Sequence, residues 1–153
     1  CMRALRRAGL EAVALDAVAS GRPFLGICVG MQMLFSSSAE DHHAEPGLGV
    51  IPGRIEWITD ELPRPQMQWN RLALRTPDEP LFDGLGEHPW MYFVHSLHGV
   101  PTDPTMVAAT CDYGGTVNAA FRRGNVFATQ FHPEKSGEAG LGLLANFVKG
   151  LAR

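Results

Sequence analysis

The sequence predicts a three-layer α/β domain around a mixed central sheet, and three observations carry that expectation. A short all-apolar run, Phe24-Leu25-Gly26-Ile27, passes almost directly into the helical Met31-Gln32-Met33-Leu34-Phe35, as a strand buried on both faces does when it feeds a helix. Brief β-like segments separated by Pro, Asp and Gly dominate the second half, and one amphipathic helix closes the chain. Seventeen Gly and eleven Pro, together about 18% of the residues, are too many for a helical bundle and typical of a loop-rich α/β domain.

Residues 1–20 read as two short helical pieces broken at Gly9, with Leu10, Val13, Leu15 and Val18 as apolar positions that should pack against a sheet. Gly21-Arg22-Pro23 punctuates the chain before the first strand. Residues 36–49 are polar and Gly-rich and read as a surface loop, followed by the alternating Arg54-Ile55-Glu56-Trp57-Ile58 of a half-buried strand. Further strands are expected at 71–75, 90–95, 105–111, 116–122 and 126–131. Leu141, Leu143, Leu144, Phe147, Val148 and Leu151 are spaced for one face of the closing helix.

A length of 153 residues with 45% apolar and 19% charged side chains fits one globular domain, spanning 1–153. A formal charge of -3 is too small and of the wrong sign for a nucleic-acid binder, so a small-molecule or protein partner is expected. No apolar stretch approaches the ~20 residues that span a bilayer, and no signal-peptide pattern opens the chain, so no membrane partner and a cytoplasmic location are expected. Cys1, Cys28 and Cys111 form neither an even disulfide set nor a zinc pair, which leaves a reactive thiol as the reading for a conspicuous one. The histidines His42, His43, His88, His95 and His98 lack an acidic ligand set, so no metal and no cofactor are expected; His95 and His98, three apart in a strand-like context, would face opposite sides.

Gly26-Ile27-Cys28-Val29-Gly30 has the form of a nucleophile elbow, in which a strained strand-to-helix turn lifts the central side chain above the sheet. The following helix end favours thiolate, and the Val29 N–H is free to donate to an oxyanion. Alone, the pattern is better read as a small buried cysteine in a tight turn. The second element, Val126 to Glu134, ends an apolar strand in His-Pro-Glu. His132 can take a proton from Cys28 and return it to a leaving amine, and Glu134 can fix its tautomer, since residues two apart in an extended strand point the same way.

Gly26-Ile27-Cys28-Val29-Gly30-Met31-Gln32, taken with Gln130-Phe131-His132-Pro133-Glu134-Lys135-Ser136, resembles the class I (triad) glutamine amidotransferases. Within that class, Gly47 to Gly53, Pro65 to Asn70, Tyr92 to Ser96 and Glu134 to Gly140 are similar to the glutaminase subunits of imidazole glycerol phosphate synthase, of histidine biosynthesis. The resemblance implies a flavodoxin-like fold with a largely parallel sheet. It also implies Cys28 as nucleophile on the glutamine amide, His132 as acid/base and Glu134 as its orienter. Val29, Gln32 and the backbone at Ser96 and Leu97 would hold the substrate. A (β/α)8 cyclase would receive the ammonia, docking on Met67, Trp69, Asn70, Tyr92 and Lys135.

On composition alone Trp69 is as well read as a lid on the local core, and Lys135 as the partner of Glu138. The chain departs from the family's usual His-Met-Gly-Trp-Asn at Gln66 and Gln68, and has Leu97 where a Tyr is common. It starts at Cys1 rather than Met and inside a helix-like run, and the family has further βα units and a Gly-rich oxyanion segment before that position. An N-terminally incomplete chain of low activity is therefore expected. The rival expectations are another triad amidotransferase, for anthranilate, guanylate or aminodeoxychorismate synthesis, and a scaffold that binds the cyclase without hydrolysing glutamine.

Overall fold

The computed structural model describes residues 1–40 and 45–151. A five-stranded sheet runs through the middle, in the order β1 (Phe24–Ile27), β10 (Val126–Thr129), β9 (Thr116–Arg123), β8 (Val107–Asp112) and β5 (Ala73–Leu74). The alternation of side chains along β10 splits its residues between two cores. Phe127 belongs with Phe93, Phe131 and Leu143 on one side, and Val126 and Ala128 belong with Met31, Phe35, Ile55 and Phe121 on the other. The first core is covered by α4 (Gly137–Leu151) and by the two-stranded ribbon of β4 (Gln66–Arg71) and β6 (Trp90–His95). The second is covered by α3 (Val29–Met33) and a three-stranded sheet of β2 (Phe35–Ser38), β3 (Ile51–Trp57) and β7 (Leu97–Pro101). Three layers and a mixed central sheet are as expected.

The sheet is less parallel than expected. Only β1 and β10 run parallel, whereas β10, β9, β8 and β5 pair antiparallel. The cause is local: β8, β9 and β10 follow one another through tight turns at Gly114-Gly115 and Gly124, and turns of two or three residues return a chain only antiparallel. The segment 36–49 also differs from a plain loop, since Phe35 is fully buried and draws 35–38 into β2 beside β3.

The expected helices form as α1 (Met2–Arg7) and α2 (Leu10–Ala19), separated by Gly9 at φ 68°. Their packing does not follow. Leu10, Val13 and Leu15 stay exposed and α2 buries no residue fully; only Val18 reaches the second core. At about 100° per residue these apolar positions spread around the helix instead of forming one stripe. Among the described residues no helix is long and apolar enough to cross a membrane. His42 and His43 lie outside the described residues.

Candidate active site

The parallel pairing of β1 with β10 sets Ile27 beside Thr129, and the Cys28 N–H continues the ladder by donating to the Thr129 carbonyl at 2.7 Å. The chain then turns into α3 with Cys28 at φ 50°, ψ -111°, the one positive φ outside glycine among the described residues. Such a conformation costs about 1–3 kcal/mol and persists because its surroundings enforce it. Gly26 is part of that enforcement. A Cβ there would lie 2.9 Å from Leu34 Cδ1 and 3.2 Å from the Met31 backbone, so any side chain at this position would crowd α3 where it folds back over the strand. Gly30, the other glycine of the motif, meets no such crowding.

Cys28 is half-buried, and burial is the largest influence on its thiol, pushing the pKa above the ordinary value. The Val29 N–H acts in the opposite direction and the Glu134 carboxylate adds to the rise. The helix end therefore favours thiolate, as expected, but does not prevail, and at neutral pH the resting group is a thiol. Gln130 donates from Nε2 to its sulfur at 3.8 Å.

His132 follows β10 and is fixed from the neighbouring ribbon. Its N–H donates to the Tyr92 carbonyl at 3.0 Å. The Ser136 hydroxyl closes the loop, donating to the His132 carbonyl at 2.6 Å and accepting from the Tyr92 N–H at 2.9 Å. Pro133–Lys135 forms a 3-10 turn, so it is this turn, not an extended strand, that swings Glu134 back onto His132. The Nδ1 to Oε1 distance is 2.6 Å, a short hydrogen bond. His132 Nε2 is buried and has no hydrogen-bond partner, which leaves one ring nitrogen free to exchange a proton.

Of the expected substrate groups, Gln32 and Leu97 come together. Gln32 Nε2 lies 3.1 Å from Gln130 Oε1 and 3.5 Å from the Leu97 carbonyl. Val29 is exposed beside Cys28. Ser96 is half-buried, and its carbonyl already accepts from the Ile58 N–H. Val29 and Gln32 also border a cavity of about 230 Å³ that reaches Met2 and Phe35 and touches neither Cys28 nor His132. Gln130 and Ser136 escaped the sequence reading as functional positions. The signal available was a polar residue in the otherwise apolar approach to His132, and a serine just past the motif.

The β4–β6 ribbon carries Met67, Trp69 and Tyr92 on one face, Met67 and Trp69 well exposed, with Trp69 directly opposite Tyr92 and their rings 6.0 Å apart. Trp69 reaches to within 3.8 Å of the Cβ position of Gly137, close to the exposed Lys135. Asn70 has the opposite parity on the strand, and its side chain ties back to the Asp112 carbonyl and the Arg71 N–H. Lys135 forms none of the ion pairs found among the described residues, the expected one with Glu138 included.

The strained Cys28 turn and the carboxylate-held His132 thus follow the ends of the parallel pair β1 and β10. The profile of the family described as glutamine amidotransferase class-I matches residues 4–151. The chain belongs to that family. The amidotransferase is 50% identical over 155 residues to the imidazole glycerol phosphate synthase subunit HisH of Synechococcus sp. (strain JA-3-3Ab), covering 99% of this chain and 71% of that protein. It is 48% identical over 151 residues to the HisH subunit of Acaryochloris marina, covering 97% and 70%. Among solved structures it matches a glutamine amidotransferase with TM-score 0.71 at 21% identity, over 99% of this chain and 73% of that one. A glutamine amidotransferase from Thermotoga maritima matches with TM-score 0.62 at 15% identity, over 99% and 60%. These structural likenesses bear on the fold, and the mixed α/β architecture is that of the class.

Proposed function

We propose that this amidotransferase is the glutaminase subunit of an imidazole glycerol phosphate synthase, acting through Cys28, His132 and Glu134. The observation that supports it most is the bonded His132–Glu134 pair beside the Cys28 elbow, in a chain half identical to HisH subunits.

The chemistry follows from the resting states. His132 Nε2, held as acceptor because Glu134 keeps the proton on Nδ1, takes the Cys28 proton as the sulfur attacks the glutamine amide carbon. The carbonyl oxygen becomes an oxyanion facing the Val29 N–H. The proton on Nε2 passes to the amide nitrogen, the C–N bond breaks and ammonia leaves a thioester. Water, deprotonated by the same Nε2, releases glutamate and restores the thiol. Gln32 and the Leu97 backbone hold the amino-acid end of glutamine, with Ser96 beside them.

The ammonia goes to a (β/α)8 cyclase, which converts a phosphorylated ribulosyl intermediate to imidazole glycerol phosphate and an aminoimidazole carboxamide ribotide. Met67, Trp69 and Tyr92 supply the aromatic and thioether anchors of that docking face, with Lys135 at its edge and Asn70 holding the ribbon against β8. Residues 1–153 act as one amidotransferase domain, in the cytoplasm. Glutamate release, measured with and without the cyclase and with Cys28→Ala as control, tests the reading. Turnover that depends on Cys28 and rises with the cyclase is expected; cyclase binding with no thiol-dependent turnover would establish a scaffold instead.

A further inference from the structure

Three polar groups are sealed in the core and play no part in the mechanism above: Gln66 at 0% exposure, His95 at 5% and the Cys111 thiol at 4%. Gln66 and His95 are directly opposed in the β4–β6 register. Both ring nitrogens of His95 are engaged, Nδ1 at 2.7 Å from the Leu97 carbonyl oxygen and Nε2 at 2.8 Å from Gln66 Oε1. The other end of the Gln66 amide lies 4.0 Å from Cys111 Sγ.

Burial, the main cause, lowers the His95 pKa to about 4, so the imidazole is neutral and carries one N–H. That proton belongs on Nδ1, because the Leu97 carbonyl can only accept. Nε2 is then an acceptor and needs a donor. A half-turn of the Gln66 amide, which exchanges its isoelectronic O and NH2, supplies one and turns Oε1 toward the Cys111 S–H. Every buried group in the set then has a partner.

The chain of bonds continues to the site. The Leu97 carbonyl also receives Gln32 Nε2 at 3.5 Å, Gln32 reaches Gln130 Oε1 at 3.1 Å, and Gln130 Nε2 reaches Cys28 Sγ at 3.8 Å. An apolar residue at position 66 would fill the same space without the desolvation cost of a buried amide.

We propose that Gln66 and His95 are positioning residues for the glutamine site: by fixing the Leu97 carbonyl through a single His95 tautomer, they place Gln32 and Gln130 against Cys28 and so set the affinity for glutamine. The inference rests on the glutaminase reading for its substrate.

Steady-state glutaminase kinetics of the cyclase complex test it with two variants. Gln66→Met keeps the length and loses the hydrogen bonds; Gln66→His restores a ring nitrogen. The expected result is a KM for glutamine raised about fivefold to tenfold in Gln66→Met, the loss of one net hydrogen bond, with kcat within about threefold. Gln66→His recovers most of that KM. An unchanged KM, or a fall in kcat alone as a smaller folded fraction would give, overturns the proposal. Calorimetric binding of glutamine in the Cys28→Ala background separates this from the activity itself. Weaker binding with Gln66→Met supports positioning even where the parent hydrolyses nothing, and equal binding overturns it. If Gln66→Met does not fold, the ring nitrogen shifts of His95 in the parent decide: the proton on Nδ1 is expected, and a proton on Nε2 is incompatible with the proposal.

Discussion

Gly140→Ala should uncouple activity from stability. Gly140 lies in the first turn of α4, its N–H donating to the Ser136 carbonyl at 3.1 Å. A Cβ at this position would stand 1.9 Å from the Pro133 carbonyl oxygen, 2.8 Å from Pro133 C and 2.7 Å from Ser136 Cβ. Carbon and oxygen approach to about 3.3 Å, so α4 or the Pro133 peptide must shift by about 1.4 Å. Pro133 lies between His132 and Glu134, and the shift is carried into the pair whose separation is 2.6 Å. A misplacement of about 1 Å costs on the order of 100-fold in rate. Overpacking costs about 1–3 kcal/mol, and the better helix propensity of Ala over Gly returns about 1 kcal/mol. The net is about 1 kcal/mol, or a Tm lowered by about 2–4 °C. Glutamate release by the cyclase complex and thermal melting by circular dichroism read both quantities. Activity within about threefold of the parent would refute the reasoning, for it would mean that the Pro133 carbonyl yields without moving its neighbours.

Three further outcomes follow from the geometry. Ser136→Ala leaves the Tyr92 N–H without its acceptor in a buried place; a loss of about 1–3 kcal/mol in urea unfolding and a lower kcat are expected, and unchanged unfolding would show that another acceptor takes over. Cys28→Gly relieves the strained φ of 50° and should raise Tm by about 2–4 °C while abolishing turnover, whereas a lowered Tm would show that the thiol contributes more than the strain costs. His95, lowered by burial to about 4, has a folded pKa below its unfolded value near 6.5. Its contribution is therefore fully present above pH 6.5 and is lost as pH falls through 4, on the order of 3 kcal/mol, and a His95→Asn variant should flatten that part of the stability profile measured by urea unfolding.

What the sequence made legible was what short segments decide for themselves. The Cys28 elbow and the His132-Pro133-Glu134 run each carry their geometry within a few residues. Trp90–His95 emerged with its expected bounds because Met91, Phe93 and His95 alternate inward. The neighbouring β4 was hidden because its polarity is reversed: Gln66 faces the core, while Met67 and Trp69 face outward. Residues 71–75 accordingly read as the strand; there Arg71 is the end of β4, opposite Trp90, and Ala73–Leu74 pair separately with β8. Likewise, β7 at Leu97–Pro101 has no counterpart among the expected strands. Gly99 is a strand residue kept small by distant rings, since a Cβ would stand 2.3 Å from Phe35 Cζ and 2.8 Å from Phe121 Cζ. Gln130 acquires its role only when Gln32 and Cys28 arrive from the far end of the chain.

The β1–β10 pairing has a consequence for the time course of folding. Phe24 faces Val126 across most of the chain, whereas β8, β9 and β10 can pair with near neighbours in sequence. Loop closure makes the distant pairing the slow one, and it is this pairing that sets Cys28 beside Gln130. A refolding chain can regain its hairpins and much of its β spectrum without any chemical competence. Recovery of glutamine turnover would then trail recovery of secondary structure, timing the moment at which the two ends of the chain find each other.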